Sequence, residues 1–92
     1  MGIGEFIKKH NLEHVIEKGI EIAKKHFPTA EIHLHLYQDP EIEKLRYIII
    51  GLEMDNYGDD FLERVSKAYH ELLDTVGWEY ADFIDIDIKS WT

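Results

Sequence analysis

Apolar residues run unbroken in one place in the chain, Tyr47-Ile48-Ile49-Ile50, within the stretch Lys44–Met54. β-branched and aromatic side chains favour a pleated strand, and a run without alternation indicates burial on both faces. This stretch therefore reads as the central strand of a small sheet. The residues from Glu31 to Tyr37 alternate strictly, with Ile32, Leu34 and Leu36 pointing one way and His33, His35 and Tyr37 the other. Asp82–Lys89 alternates again, Ile84, Ile86 and Ile88 against Phe83, Asp85, Asp87 and Lys89. Gln38-Asp39-Pro40-Glu41 is a turn signal, because Asp39 can bond its own backbone and Pro40 presets φ. So short a connection implies an antiparallel hairpin.

Two stretches carry helical spacing instead. Leu12, Val15, Ile16, Gly19, Ile20, Ala23 and Phe27 form one face, preceded by Ile3, Phe6 and Ile7; the two pieces read as one bent helix or as a short helix and a longer one. Asn11 reads as the N-cap between them. Gly19 suits a close approach to the sheet, and Pro28 ends the element. Phe61, Val65, Ala68, Tyr69, Leu72 and Val76 make the second stripe, with Asp59 or Asp60 as its cap and Gly77 as a left-handed C-terminal residue. The order is α-β-β-α-β, and a right-handed crossover makes the last strand parallel to the central one. The expected fold is α+β, a two-layer α/β sandwich in a single domain spanning residues 1–92. Its three-stranded mixed sheet has strand order 1-2-3, with the helices on one face.

The alternation also defines the other face of the sheet. His33, His35 and Tyr37 come from the first strand, Tyr47, Ile49, Gly51 and Glu53 from the second, and Phe83, Asp85, Asp87, Lys89 and Trp91 from the third. No obvious element is left to cover it, unless Ile3, Phe6 and Ile7 fold back over it; otherwise it is solvated or an interface. Aromatics and an isoleucine between polar flanks suit an interface, with His33, His35, Tyr37, Tyr47, Ile49, Phe83, Asp85, Asp87 and Trp91 as its expected residues.

Charge narrows the choice of partner. The 92 residues hold 19 acidic against 10 basic side chains, a net charge of −9. That argues against nucleic acid, whose phosphates need Lys and Arg, and against anionic membrane surfaces. A basic protein partner, or simple solubility, fits this charge better, while the open face or an exposed edge strand would suit a homodimer. With 45% hydrophobic residues the chain can form a core. The sequence holds no cysteine, which excludes disulfides, thiolate zinc sites and cysteine nucleophiles. No apolar run approaches the roughly 20 residues of a membrane span, and Met1-Gly2-Ile3-Gly4-Glu5 lacks the features of a secretory leader. The expected location is the cytoplasm.

Little of the sequence suggests catalysis. His33 and His35 are spaced to project to one side of a strand, as in some metal sites, and Asp85 and Asp87 share that side. The outer strands of a three-stranded sheet lie about 10 Å apart, however, with Tyr47 and Ile49 standing between them. Neither serine sits in a nucleophile elbow, and there is no His-Glu-x-x-His motif or Gly-rich phosphate loop. Asp55, Asp59 and Asp60 lack the spacing of a calcium loop. The expectation is a non-catalytic interaction module with no cofactor and no metal. The alternative is a metal-binding protein or metal-dependent enzyme using His33 and His35.

The stretch from Phe27 to Glu53, about a third of the chain, resembles a group of small uncharacterised archaeal and bacterial α/β proteins. Its marks are Phe27-Pro28-x-Ala30, the alternating strand from Ile32 to Tyr37, Asp39-Pro40-Glu41 and the apolar strand that follows. Such proteins resemble partners of small nuclease toxins, so the resemblance implies an antitoxin-like binding role. It supplies no functional residues.

Overall fold

The computed structural model describes residues 2–42 and 44–91; Met1, where the leader reading began, lies outside them. The elements in order are helix α1 (Ile3–Lys9), helix α2 (Glu13–His26), strand β1 (Glu31–Gln38), strand β2 (Arg46–Glu53), helix α3 (Phe61–Val76), a 3₁₀ turn (Trp78–Tyr80) and strand β3 (Ile84–Ile88). The fold is α+β, and the N-terminal region is two helices. The break between them is Asn11, whose φ of 55° lies in the left-handed region that asparagine tolerates. The Asn11 amide donates to the Lys8 carbonyl at 3.3 Å and the Leu12 amide to the Ile7 carbonyl at 2.9 Å. That pair of bonds is the Schellman closure of a helix C-terminus. Asn11 thus ends α1 and is not the cap of α2. Leu12 takes that position with no side-chain cap bond, its side chain being fully buried.

The sheet has the order β1-β2-β3, with β1 antiparallel and β3 parallel to β2. On its helix-facing side the register places Leu36, Ile48 and Ile84 in one row, Leu34, Ile50 and Ile86 in the next, and Ile32, Leu52 and Ile88 in the third. Ile48, Ile50, Leu52, Ile84 and Ile86 are buried. Leu34 departs from the expected coverage and is 38% exposed, because β1 is an edge strand whose outer border the helices do not close over.

Helix α2 approaches the sheet through Gly19. A Cβ there would collide with Cδ1 of Ile50 and come to 3.3 Å from Cδ2 of Leu72 in α3. The buried stripe of α2 is Val15, Ile16, Gly19, Ile22 and Ala23, so Ile22 replaces the half-buried Ile20. At the other end of the two helices, Lys25 and His26 both bond the Glu71 carboxylate, His26 Nε2 at 2.9 Å. Arg64 donates to the His26 carbonyl at 2.6 Å and lies 4.6 Å from the Phe27 ring centre.

The turns follow their local chemistry. Asp39 Oδ1 accepts the amides of Glu41 and Ile42 at 2.8 and 2.9 Å, which fixes the hairpin loop. Asp60 stands at the N-cap of α3 without a side-chain cap bond. Gly77 follows α3 with φ +120° and ψ 137°, a glycine conformation outside the left-handed helical well. Among the described residues no helix is long and apolar enough to cross a membrane.

Candidate functional site

The face of the sheet opposite α2 and α3 is built in four rows. Tyr37 is paired with Tyr47; His35, Ile49 and Asp85 form the second row; His33, Gly51 and Asp87 form the third; and Glu31 stands opposite Glu53 in the fourth. The aromatic rings interact along this face. Tyr37 and Tyr47 have centroids 4.9 Å apart, and His35 stacks on Trp91 at 4.7 Å with 17° between the ring planes. The Trp91 indole lies over Gly51, where a Cβ would overlap its ring, and Lys89 Nζ is 6.0 Å from the indole centre. The face is therefore not bare, as the strand pattern alone suggested. The segment after β3 returns across it, and glycine in the third row leaves the space that the indole fills.

Carboxylates surround the tyrosine pair. Tyr37 Oη donates to Asp39 Oδ2 at 3.3 Å. The Asp39 charge, with partial burial, pushes the Tyr37 hydroxyl above its usual pKa, whereas the Ile42 and Glu41 amides hold the Asp39 carboxyl below the usual range. Burial raises the Tyr47 hydroxyl, and Asp85, Asp87 and Asp39 add to the effect. Burial also raises the Asp85 carboxyl, opposed by the Ile86 amide and assisted by the Asp87 charge. The result is an aromatic floor flanked by three carboxylates, one of them poorly solvated. A cation placed here meets ring faces and negative charge together.

Of the expected interface residues, His33, His35, Tyr37, Tyr47, Ile49, Asp85, Asp87 and Trp91 share this face. Phe83 does not pack with them. Strand β3 begins only at Ile84, so the pleat does not set the direction of Phe83. Its ring stacks on His10, just after α1, at 4.6 Å and lies 6.3 Å from Phe6 of α1. Phe83 does help line a cavity of about 570 Å³ at the end of the sheet where β2 and β3 begin, beside Tyr47, Asp85, Arg46 and Tyr69. The Tyr69 hydroxyl donates there to the Ala81 carbonyl at 3.2 Å.

The two strand histidines have different partners. While His35 is engaged by Trp91, His33 Nε2 is 3.0 Å from Glu53 Oε1 and 3.7 Å from Glu31 Oε1. Glu31, His33 and Glu53 are the one group among the described residues whose potential ligand atoms converge, all within 4.8 Å of one another. Alternation alone draws attention to Asp85 and Asp87 as partners for His33 and misses Glu31. The signal that finds it is register, because a short hairpin loop places the first residue of β1 opposite the last of β2.

Comparison of the chain with protein-family models, with curated proteins and with solved structures finds no match.

Proposed function

We propose that the protein is a non-catalytic interaction module that receives Lys or Arg side chains of a basic protein partner on the open sheet face. The observation that carries this reading is the Tyr37–Tyr47 pair with Asp39, Asp85 and Asp87 around it. A cationic side chain over a tyrosine ring gains about 0.5–2 kcal/mol, more as water is excluded. The raised pKa of Asp85 supports the same choice, since a carboxylate held in poor solvation beside Asp87 gains from an approaching positive charge. The net charge of −9 favours encounter with a basic surface. Pairing two copies through this face is disfavoured, because it would set one cluster of carboxylates against another. Masking the basic surface of a second protein is an antitoxin-like role.

Titrating the isotope-labelled protein with a Lys/Arg-rich peptide, and with a Glu-rich peptide of equal length, tests the proposal. The basic peptide is expected to move the signals of Tyr37, Tyr47, Asp85 and Asp87, and the effect should weaken with salt. If the basic peptide leaves this face unmoved, or the acidic one moves it equally, the proposal fails. So does a stable dimer of the protein alone whose contact covers Tyr37 and Tyr47.

A further inference from the structure

We infer that Glu31, His33 and Glu53 form a binding site for a divalent transition metal of the zinc class at one border of the β1–β2 hairpin. The three residues come from the two strands in fixed register, Glu31 directly opposite Glu53 and His33 opposite Gly51. Carboxylates directly opposite each other on an antiparallel pair repel. Here they converge on one imidazole nitrogen, His33 Nε2, at 3.0 Å for Glu53 Oε1 and 3.7 Å for Glu31 Oε1. A tetrahedral zinc with bonds of about 2.0–2.2 Å spaces its donors about 3.3–3.6 Å apart; the three donor atoms here lie within 4.8 Å of one another, so rotation of the exposed glutamate side chains would close the shell. One nitrogen and two carboxylates suit zinc, cobalt or nickel; magnesium and calcium prefer oxygen ligands throughout. Exposure of both glutamates leaves a fourth position for water, as in open three-ligand sites. Lys89 Nζ, 4.0 Å from Glu53 Oε2, competes for this carboxylate and would be displaced by a bound metal. His35 takes no part, because it is stacked on Trp91.

The full chain is titrated with zinc chloride, and in parallel with magnesium chloride, while the six histidine ring signals are followed by NMR. Zinc is expected to move His33 before His10, His14, His26, His35 and His70, and magnesium to leave all six in place. Loss of an outer-shell partner commonly weakens a metal site about 10- to 100-fold, so H33Q and E53Q should each weaken zinc binding at least that much while H35Q does not. All three side chains lie at the surface, and a preserved amide spectrum confirms that each variant is folded. The inference is overturned if His33 moves no earlier than the other histidines. It is equally overturned if folded H33Q and E53Q bind zinc as tightly as the unaltered chain.

Discussion

The Trp91 indole rests on the backbone of Gly51, in the space that a side chain at that position would occupy. The contact joins the segment after β3 to the middle of the sheet and brings the indole against His35. Gly51→Ala is expected to lift Trp91 off the face, since the ring is the freer of the two partners. In a Trp78→Phe background, where Trp91 is the one remaining indole, its emission should shift to the red and become more accessible to a soluble quencher. Unchanged emission in that variant would show that the indole is not held by Gly51.

Gly19 and Ile50 form a second close pairing, this one in the core. Ile50→Ala removes a fully buried side chain and should cost about 2–5 kcal/mol in denaturant unfolding. Gly19→Ala gains about 1 kcal/mol of helix propensity but forces a methyl onto Cδ1 of Ile50, an overpacking that costs about 1–3 kcal/mol. Ile50→Val deletes that Cδ1 and alone should cost about 0.5–1.5 kcal/mol. The double variant should therefore be more stable than the sum of the single changes indicates. Strict additivity in a double-mutant cycle would argue against the close approach of α2 to the sheet.

Asp85 sets one pH response of the fold. Burial raises its carboxyl pKa from the ordinary 3.8, so the native state binds this proton more tightly than the unfolded chain does. Ionisation therefore costs stability, which should fall as pH rises from about 3.8 through the raised value. Asp85→Asn keeps an acceptor for the Ile86 amide and removes the charge. It is expected to melt above the unaltered protein at pH 7, with the difference vanishing well below pH 4. A lower melting temperature for the variant at pH 7 would contradict the sign.

Glu71 responds in the opposite direction. Its hydrogen bonds from Lys25 and His26 hold the carboxyl below the ordinary 4.5. The stabilisation is present above 4.5 and is lost as pH falls through the lowered value. Glu71→Gln should therefore lower the melting temperature at neutral pH and converge with the unaltered protein in acid. A constant gap across that range would assign the loss to packing rather than to charge.

The strands and the sheet order were legible because period-two alternation and an eight-residue hairpin register leave few alternatives. The same pattern located Tyr37, Tyr47, Asp85 and Asp87 correctly on one face. It failed where the pleat stops. Phe83 lies just before β3, and contacts with Phe6 of α1 and with His10 just after it, not alternation, direct its ring. Asn11 was legible as a boundary but not as the end of α1, since asparagine serves both as an N-cap and as a left-handed terminator. Alternation places Trp91 on this face, but the seating of its indole on Gly51 depends on the path of the segment after β3, which local periodicity does not encode. The convergence of Glu31 and Glu53 on His33 depends on cross-strand register, which a reading of single strands does not use.

The uneven coverage of the sheet also separates its strands in time. Strands β1 and β3 both lie at borders and bond only β2, but β1 leaves Leu34 38% exposed and Ile32 and Leu36 half-buried, so it can peel away while the rest stays assembled. Strand β3 buries Ile84 and Ile86 and is joined to β2 through the full length of α3. Its amides should therefore exchange with solvent mainly through openings that also undo α3, and those of β1 through a smaller and more frequent opening.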